Sequence, residues 1–405
     1  MSNQGEPASR KSRILTRLPS ASYNEISKID HSPQSEGLRM STTPPIRRME
    51  DIDPNFRLNA AVPKDYLFHD PHQAPFSIHG LAADEAVYTR LPLCFLPQCS
   101  DGVRNLSRHL AGGCIRFATD SPGLALIFRL TDAGNMPHFT ACGQSGMELY
   151  EETDGGFRQI ANFLPAMNDG RGCRLEQSVY TALPEGLRSY VLYLPLYNGL
   201  DELLIGLAPG ASLMPGHMPR IRKPIVFYGS SITQGGCAAK TGSCYTHIVC
   251  RRLDAEQINL GFSGNAKGEA SMAKHIAGLE MSAFVFDYDH NAPDAAHLAA
   301  THEPFYRIIR DAQPELPILL LSKPNTDKDP AAAEARAAII RKTYENAVAA
   351  GDTRVQMIDG STLFGDTDRE LCTVDGCHPT DLGFLRMADA ITPVLRSMLD
   401  KEAKK

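Results

Sequence analysis

Two serines, Ser230 and Ser231, follow an apolar run that stops at a glycine, in the stretch Val226-Phe227-Tyr228-Gly229-Ser230-Ser231-Ile232-Thr233-Gln234-Gly235. A serine hydroxyl attacks a carbonyl only when a base removes its proton and donors receive the oxyanion. The base suited to this is a histidine oriented by a carboxylate. Asp375-Gly376-Cys377-His378-Pro379 offers such a pair, three residues apart on what reads as one short turn. Asp294-Ala295-Ala296-His297 has the same spacing and also follows an apolar run, so spacing alone does not choose between His378 and His297. A third pair, Asp70 and His72, is expected to be structural.

Two further stretches end apolar runs. Asn259-Leu260-Gly261-Phe262-Ser263-Gly264-Asn265 brings a glycine whose backbone can approach a ligand closely. Asp287-Tyr288-Asp289-His290-Asn291-Ala292-Pro293 brings an amide donor, Asn291. Gly, Asn and Asp are also ordinary turn residues. Asp287, Asp289 and His290 suggest a metal cluster, but no second histidine is placed to complete it. The Lys-Ser/Thr of a P-loop is missing after Gly235, and Thr233 stands where a G-x-S-x-G elbow needs glycine. None of the ten cysteines has C-x2-C spacing, so free thiols are expected.

The elements that must position these residues fall in the last part of the chain. Apolar runs at Ile225–Tyr228, Ile258–Phe262, Ala283–Asp287, Pro317–Ser322 and Val355–Asp359 alternate with helical stretches near 243–254, 268–280, 297–313, 331–350 and 381–399. Five strands buried on both faces and separated by helices predict a parallel, doubly wound sheet, with ligands bound at the carboxyl ends of its strands. Ser231 sits at such an end. From about 60 to 215 the pattern differs: short stretches such as Leu124–Phe128 and Ser189–Leu194 alternate with turn clusters, predicting an antiparallel sandwich or jelly roll. The expected division is a disordered tail over 1–55, a β-sandwich over 56–218, an α/β domain over 219–400 and a charged tail over 401–405.

A net charge of -6 without a basic run argues against nucleic acid, and no apolar stretch is long enough for a transmembrane helix. The first residues lack the apolar core of a secretory leader, which leads to an expectation of cytoplasmic action.

Taken in chain order, Ser231, Gly264, Asn291 and His378, with Asp375 beside the last, resemble the four blocks of the SGNH, or GDSL-like, hydrolases. More narrowly the chain resembles the bacterial subgroup with an N-terminal β domain bearing a Gly-x-Asp-Leu-Tyr signature, here Gly146-Met147-Glu148-Leu149-Tyr150, with Glu148 in the aspartate's place. Ser230 replaces the aspartate of the GDS form, and Asn291 lies in Asp-His-Asn-Ala rather than the common Gly-x-Asn-Asp. The resemblance selects His378 over His297. It implies a flavodoxin-like, three-layer α/β/α fold with five parallel strands.

It also implies Ser231 as nucleophile, His378 as base and Asp375 as its orienting carboxylate, with an oxyanion hole from the Ser231 and Gly264 N–H groups and the Asn291 amide. The implied reaction is ester hydrolysis through an acyl-enzyme, of a small acyl group, foremost acetyl, on a carbohydrate. No metal or organic cofactor is expected. The alternatives are a lipid or aryl-ester acylhydrolase of the same mechanism and a non-catalytic carbohydrate-binding protein; flavin binding rests on sheet-order analogy alone. The absence of tryptophan removes one usual sugar platform. Oligomeric state has no signature in the sequence.

Overall fold

The computed structural model describes residues 49–53, 61–82, 87–153, 155–167 and 172–400. The tails expected over 1–55 and 401–405 fall outside these residues except for 49–53, which include one helical turn, Met49–Ile52 (α1). That turn belongs to a separate unit, 1–52, and all that follows concerns the second, 53–405.

The alternating stretches of the first half fold as strands β1 (Leu67–His69), β2 (Ser77–His79), β3 (Cys114–Thr119), β4 (Gly123–Leu130), β5 (Met147–Thr153), β6 (Gly156–Phe163), β7 (Glu176–Ala182), β8 (Arg188–Tyr193), β9 (Leu200–Leu207) and β10 (Leu213–Met214). Two short helices, α2 (Asp101–Leu106) and α3 (Ala141–Ser145), interrupt them. The strands form two antiparallel sheets, ordered β1-β9-β4-β7 and β10-β3-β8-β5-β6, with β2 also paired to β3. Side chains two apart share a face of a strand. Ile115 and Phe117 of β3 and Tyr190 and Leu192 of β8 therefore meet Leu124 and Leu126 of β4 and Leu203 and Ile205 of β9 in one buried core. This is the expected sandwich.

The second half is built from β11 (Ile221–Gly229), β12 (Ala255–Gly261), β13 (Ala283–Asp287), β14 (Ile318–Leu321) and β15 (Val355–Ile358), all parallel, in the order β12-β11-β13-β14-β15. Between and after them run α4 (Ser231–Gln234), α5 (Tyr245–Leu253), α6 (Ala270–Ala277), α7 (Ala295–Ala312), α8 (Pro330–Ala349) and α9 (Asp381–Asp400). Alternate strand residues serve opposite layers. Phe227, Val285 and Leu319 pack with α5 and α9, while Tyr228, Phe286 and Leu320 pack with α6, α7 and α8. Complete burial of each such side chain contributes about 1.5–3 kcal/mol. The five-stranded, three-layer fold is the one expected. Its strand order reverses on either side of β11, which makes the end of β11 the switch-point crevice.

Register makes that crevice sharp. Gly229, the last residue of β11, pairs with Gly261 at the end of β12 and with Asp287 at the end of β13. Three loops therefore leave the sheet at one level.

The sandwich packs into the same region. Arg90 is buried and donates to the carbonyls of Asn259 (3.0 Å), Gly261 (2.6 Å) and Leu106 (2.6 Å), with its guanidinium 4.6 Å from the centre of the Phe262 ring. Gly143 of α3 lies against the loop after α4 so closely that a Cβ would stand 1.9 Å from the Ala238 carbonyl oxygen.

Candidate active site

The two serines have different tasks. Ser230 is the N-cap of α4: its N–H donates to the Asp287 carbonyl (3.2 Å) and its hydroxyl accepts from the Ile232 N–H (3.2 Å). Such a cap satisfies an amide that the helix start leaves without a partner. Ser231, the first helical residue, is left with its hydroxyl turned to the crevice. Thr233 completes the brace by donating to Asp287 Oδ2 (2.9 Å), which also accepts from the Tyr245 hydroxyl (2.9 Å). Burial, reinforced by nearby Asp289, raises the Asp287 carboxyl to about 7 against the lowering effect of those two hydroxyls.

His378 Nε2 lies 2.9 Å from Ser231 Oγ, and His378 Nδ1 lies 2.7 Å from Asp375 Oδ2. With the Nδ1 proton given to the carboxylate, Nε2 is the acceptor for the serine proton. Asp375 is fixed in turn, because its Oδ1 accepts the N–H groups of Cys377 (2.9 Å) and His378 (2.8 Å). Partial burial alone would raise the Asp375 carboxyl, but these bonds and the histidine beside it hold it down at about 2. The loop is closed by the Val374 N–H on the His378 carbonyl (2.9 Å). A hydroxyl, an imidazole and an ionised carboxylate thus stand in series.

Gly264 has φ +67°, a left-handed conformation that favours glycine, and no atom lies within 4 Å of where its Cβ would be. Among the described residues neither its N–H nor that of Ser231 has a backbone acceptor in turns or loops. The Asn291 amide donates to the Phe262 carbonyl (2.8 Å), tying the loop after β13 to the loop carrying Gly264. An amide nitrogen has two hydrogens, so one more remains to be given.

The rival pair has other work. Asp294 caps α7 by accepting the His297 N–H (2.7 Å), and His297 Nε2 donates to the Lys267 carbonyl (2.8 Å). Asp70 and His72 pair with each other (2.9 Å) in the turn after β1. The Asp287, Asp289 and His290 group does not converge: Asp289 accepts the Lys323 N–H (3.0 Å), and His290 Nδ1 lies 4.0 Å from Cys377 Sγ. All ten cysteines are free thiols.

Several residues near the site have roles that the sequence did not show. His138, on the loop before α3, brings Nε2 to 4.0 Å from Asp375 Oδ2, and its ring centre lies 5.9 Å from that of His378. Tyr197 donates its hydroxyl to the Ser231 carbonyl (3.1 Å). Gln234 accepts the Ser263 N–H (2.9 Å) and donates to the Leu196 carbonyl (3.2 Å), stitching sandwich to crevice. The signature residue Glu148 is fully buried and accepts from Lys240 Nζ (2.9 Å) and the Gly242 N–H (2.6 Å), anchoring the loop behind α4. Gln234 and Glu148 lie within motifs quoted from the sequence; His138 and Tyr197 meet the site through packing between distant segments.

Residues 222–396 match the GDSL-like Lipase/Acylhydrolase family, and residues 66–213 match the GxDLY family, described as the N-terminus of the SGNH-hydrolase type of esterase. No curated protein matches the chain significantly. Among solved structures, a protein described as a GDSL-like lipase from Bacteroides ovatus ATCC 8483 is similar with 27% identity and a TM-score of 0.75, over 83% of this chain and 98% of that one. The salicylyl-acyltransferase SsfX3 of a tetracycline biosynthetic pathway shares the fold at 18% identity and a TM-score of 0.69, over 83% and 98% of the two chains. The acetyl xylan esterase Est2A from the rumen bacterium Butyrivibrio proteoclasticus shares it at 12% identity and a TM-score of 0.53, over 83% and 99%.

Proposed function

With a GDSL-like lipase/acylhydrolase domain at 222–396 and an SGNH-type N-terminal domain at 66–213, the chain is an ester-hydrolysing enzyme of that family, and we propose that it removes acetyl groups from carbohydrate esters by way of an acyl-enzyme on Ser231. The observation that carries the mechanism is the hydrogen-bonded series Ser231–His378–Asp375, at 2.9 and 2.7 Å.

In this reading His378 Nε2 takes the hydroxyl proton as Ser231 Oγ bonds to the ester carbonyl carbon. Asp375, already ionised, stabilises the imidazolium and keeps the ring in place. The negative oxygen of the tetrahedral intermediate is received by the N–H groups of Ser231 and Gly264 and by the second hydrogen of the Asn291 amide. Collapse expels the alcohol, which takes the proton from His378. Water, deprotonated by the same histidine, then releases the acid and restores Ser231.

Support for a sugar alcohol comes from neighbours of the same fold that are described as carbohydrate esterases, among them Est2A and a family two enzyme from Cellvibrio japonicus. Beside the His378 loop a groove lined by Asn325, Lys328, Arg369, Glu370, Thr373 and Asp375 offers donors and acceptors that sugar hydroxyls could meet. The test is hydrolysis of aryl acetate and of acetylated oligosaccharides by wild type and Ser231→Ala. Acetate release by the wild type alone supports the reading. A preference for long acyl chains replaces it with a lipid acylhydrolase, and sugar binding without turnover in either protein replaces it with a binding protein.

A further inference from the structure

Among the described residues, His138, Cys237 and His378 bring one ligand atom each to within 4.8 Å of one another. They come from three segments: the loop of the sandwich before α3, the turn after α4 and the loop before α9. We propose that these side chains form a site for a soft divalent cation such as Zn2+, and that occupation of the site switches the esterase off. The inhibitory part rests on the reading of His378 as the base.

The donor set suits the ion. Two imidazoles and a thiol are what Zn2+ takes in preference to Mg2+ or Ca2+. Bond lengths of about 2.0–2.1 Å to nitrogen and about 2.3 Å to sulfur place tetrahedral ligands roughly 3.3–3.7 Å apart. Closing from 4.8 Å needs only a modest swing, and the exposed His138 is free to make it.

Cys237 has an uncommon backbone conformation. It is buried, free of disulfide, and has φ 72°, where side chains other than glycine are rarely found. A non-glycine residue in that conformation carries a cost, and here it sets a thiol that also packs in the core beside the crevice.

His378 also has the arrangement of a metal ligand. Its Nδ1 faces the Asp375 carboxylate at 2.7 Å, so Nε2, now 2.9 Å from Ser231 Oγ, is the nitrogen that an ion would take. A carboxylate behind a ligating histidine is the usual outer support of a zinc site. On binding, the Cys237 S–H proton passes to solvent, a sulfur–metal bond forms, and the His378 Nε2 lone pair is given to the metal. No bond remains between Nε2 and the Ser231 proton, so the nucleophile is not activated. The fourth position of the ion stays open to water.

The experiment pairs two readouts. Rates of aryl-acetate hydrolysis are measured in rising Zn2+, with Mg2+ as control and a chelator added at the end. Separately, Cd2+ is titrated into wild type, Ser231→Ala, Cys237→Gly and His138→Ala, following the ultraviolet band of a cadmium–thiolate bond. Glycine is chosen at 237 because it accepts the positive φ. Expected are inhibition by Zn2+ but not Mg2+, full recovery with chelator, and an inhibitory concentration raised roughly 10–100-fold in Cys237→Gly and His138→Ala, each against its own metal-free rate. The cadmium band should persist in Ser231→Ala and be lost in Cys237→Gly. Unchanged Zn2+ sensitivity in both ligand variants, or an unchanged cadmium band in Cys237→Gly, would overturn the site. A cadmium band that follows Cys237 in a protein without esterase activity would instead keep the metal site and reject the assignment of His378 as base.

Discussion

Lys240 reaches from the loop behind the candidate nucleophile to the fully buried Glu148 of the sandwich, Nζ to Oε1 at 2.9 Å, and the same carboxylate takes the Gly242 N–H at 2.6 Å. The signature of one sheet thereby fixes a loop of the other. Glu148→Ala leaves the amide and the ammonium without their acceptor. Because Lys240 keeps some solvent, the expected loss of stability is about 1–3 kcal/mol, below the figure for a fully buried pair. Esterase activity should fall as well, and denaturant unfolding with steady-state rates checks both. Glu148→Gln, which keeps the amide bond to Gly242, should lose less.

Ser231→Ala and His378→Ala should each abolish measurable hydrolysis while leaving circular dichroism unchanged. Asp375→Asn should lower kcat by roughly 10²–10⁴, since it permits the wrong tautomer of His378. Equal activity of Ser231→Ala and wild type would move the chemistry elsewhere.

Asn291→Ala should reduce kcat by about 10²–10³ if its second amide hydrogen meets the oxyanion. Stability should change less, although the bond to Phe262 is also lost. A fall confined to KM would place Asn291 in binding rather than in the oxyanion hole.

Gly264→Ala tests the opposite wall. The space around its Cβ is open, so the substitution meets strain from φ +67° but no collision within the protein. A stability cost of about 1–2 kcal/mol is expected. A larger proportional loss of kcat/KM would show that the open space belongs to the substrate.

Asp287 predicts a pH effect. Its carboxyl sits at about 7 in the fold against an ordinary 3.8, so the folded state holds a proton that the unfolded chain releases. The stabilisation this provides is complete below pH 3.8 and is lost as pH rises through 7. Relative to wild type, Asp287→Asn should therefore gain stability with rising pH across that window, by up to about 1.4 kcal/mol per unit. Parallel stability curves for the two proteins from pH 4 to 8 would contradict it.

Much of the site was legible because strand ends are legible. Runs such as Ala283–Asp287 are apolar on both faces and stop at polar loops, and a parallel sheet brings those loops to one edge. The Asp375–His378 turn was readable because both partners lie in one segment. His297, with identical spacing, could be told apart only by resemblance, and the structure shows Asp294 spent on a helix cap. His138 and Cys237 had no local signal. Met136-Pro137-His138-Phe139 has no periodicity or motif, and its approach to Asp375 depends on how the sandwich packs, a relationship across more than 200 positions.

Gly143 meets the Ala238 carbonyl backbone to backbone, with the Phe139 ring against the same spot. Surfaces that meet in this way do not slide past each other by small rotamer changes. The seam between sandwich and α/β domain therefore has no room at this point for a side chain. Any side chain added at position 143 would act as a wedge between chemistry and scaffold.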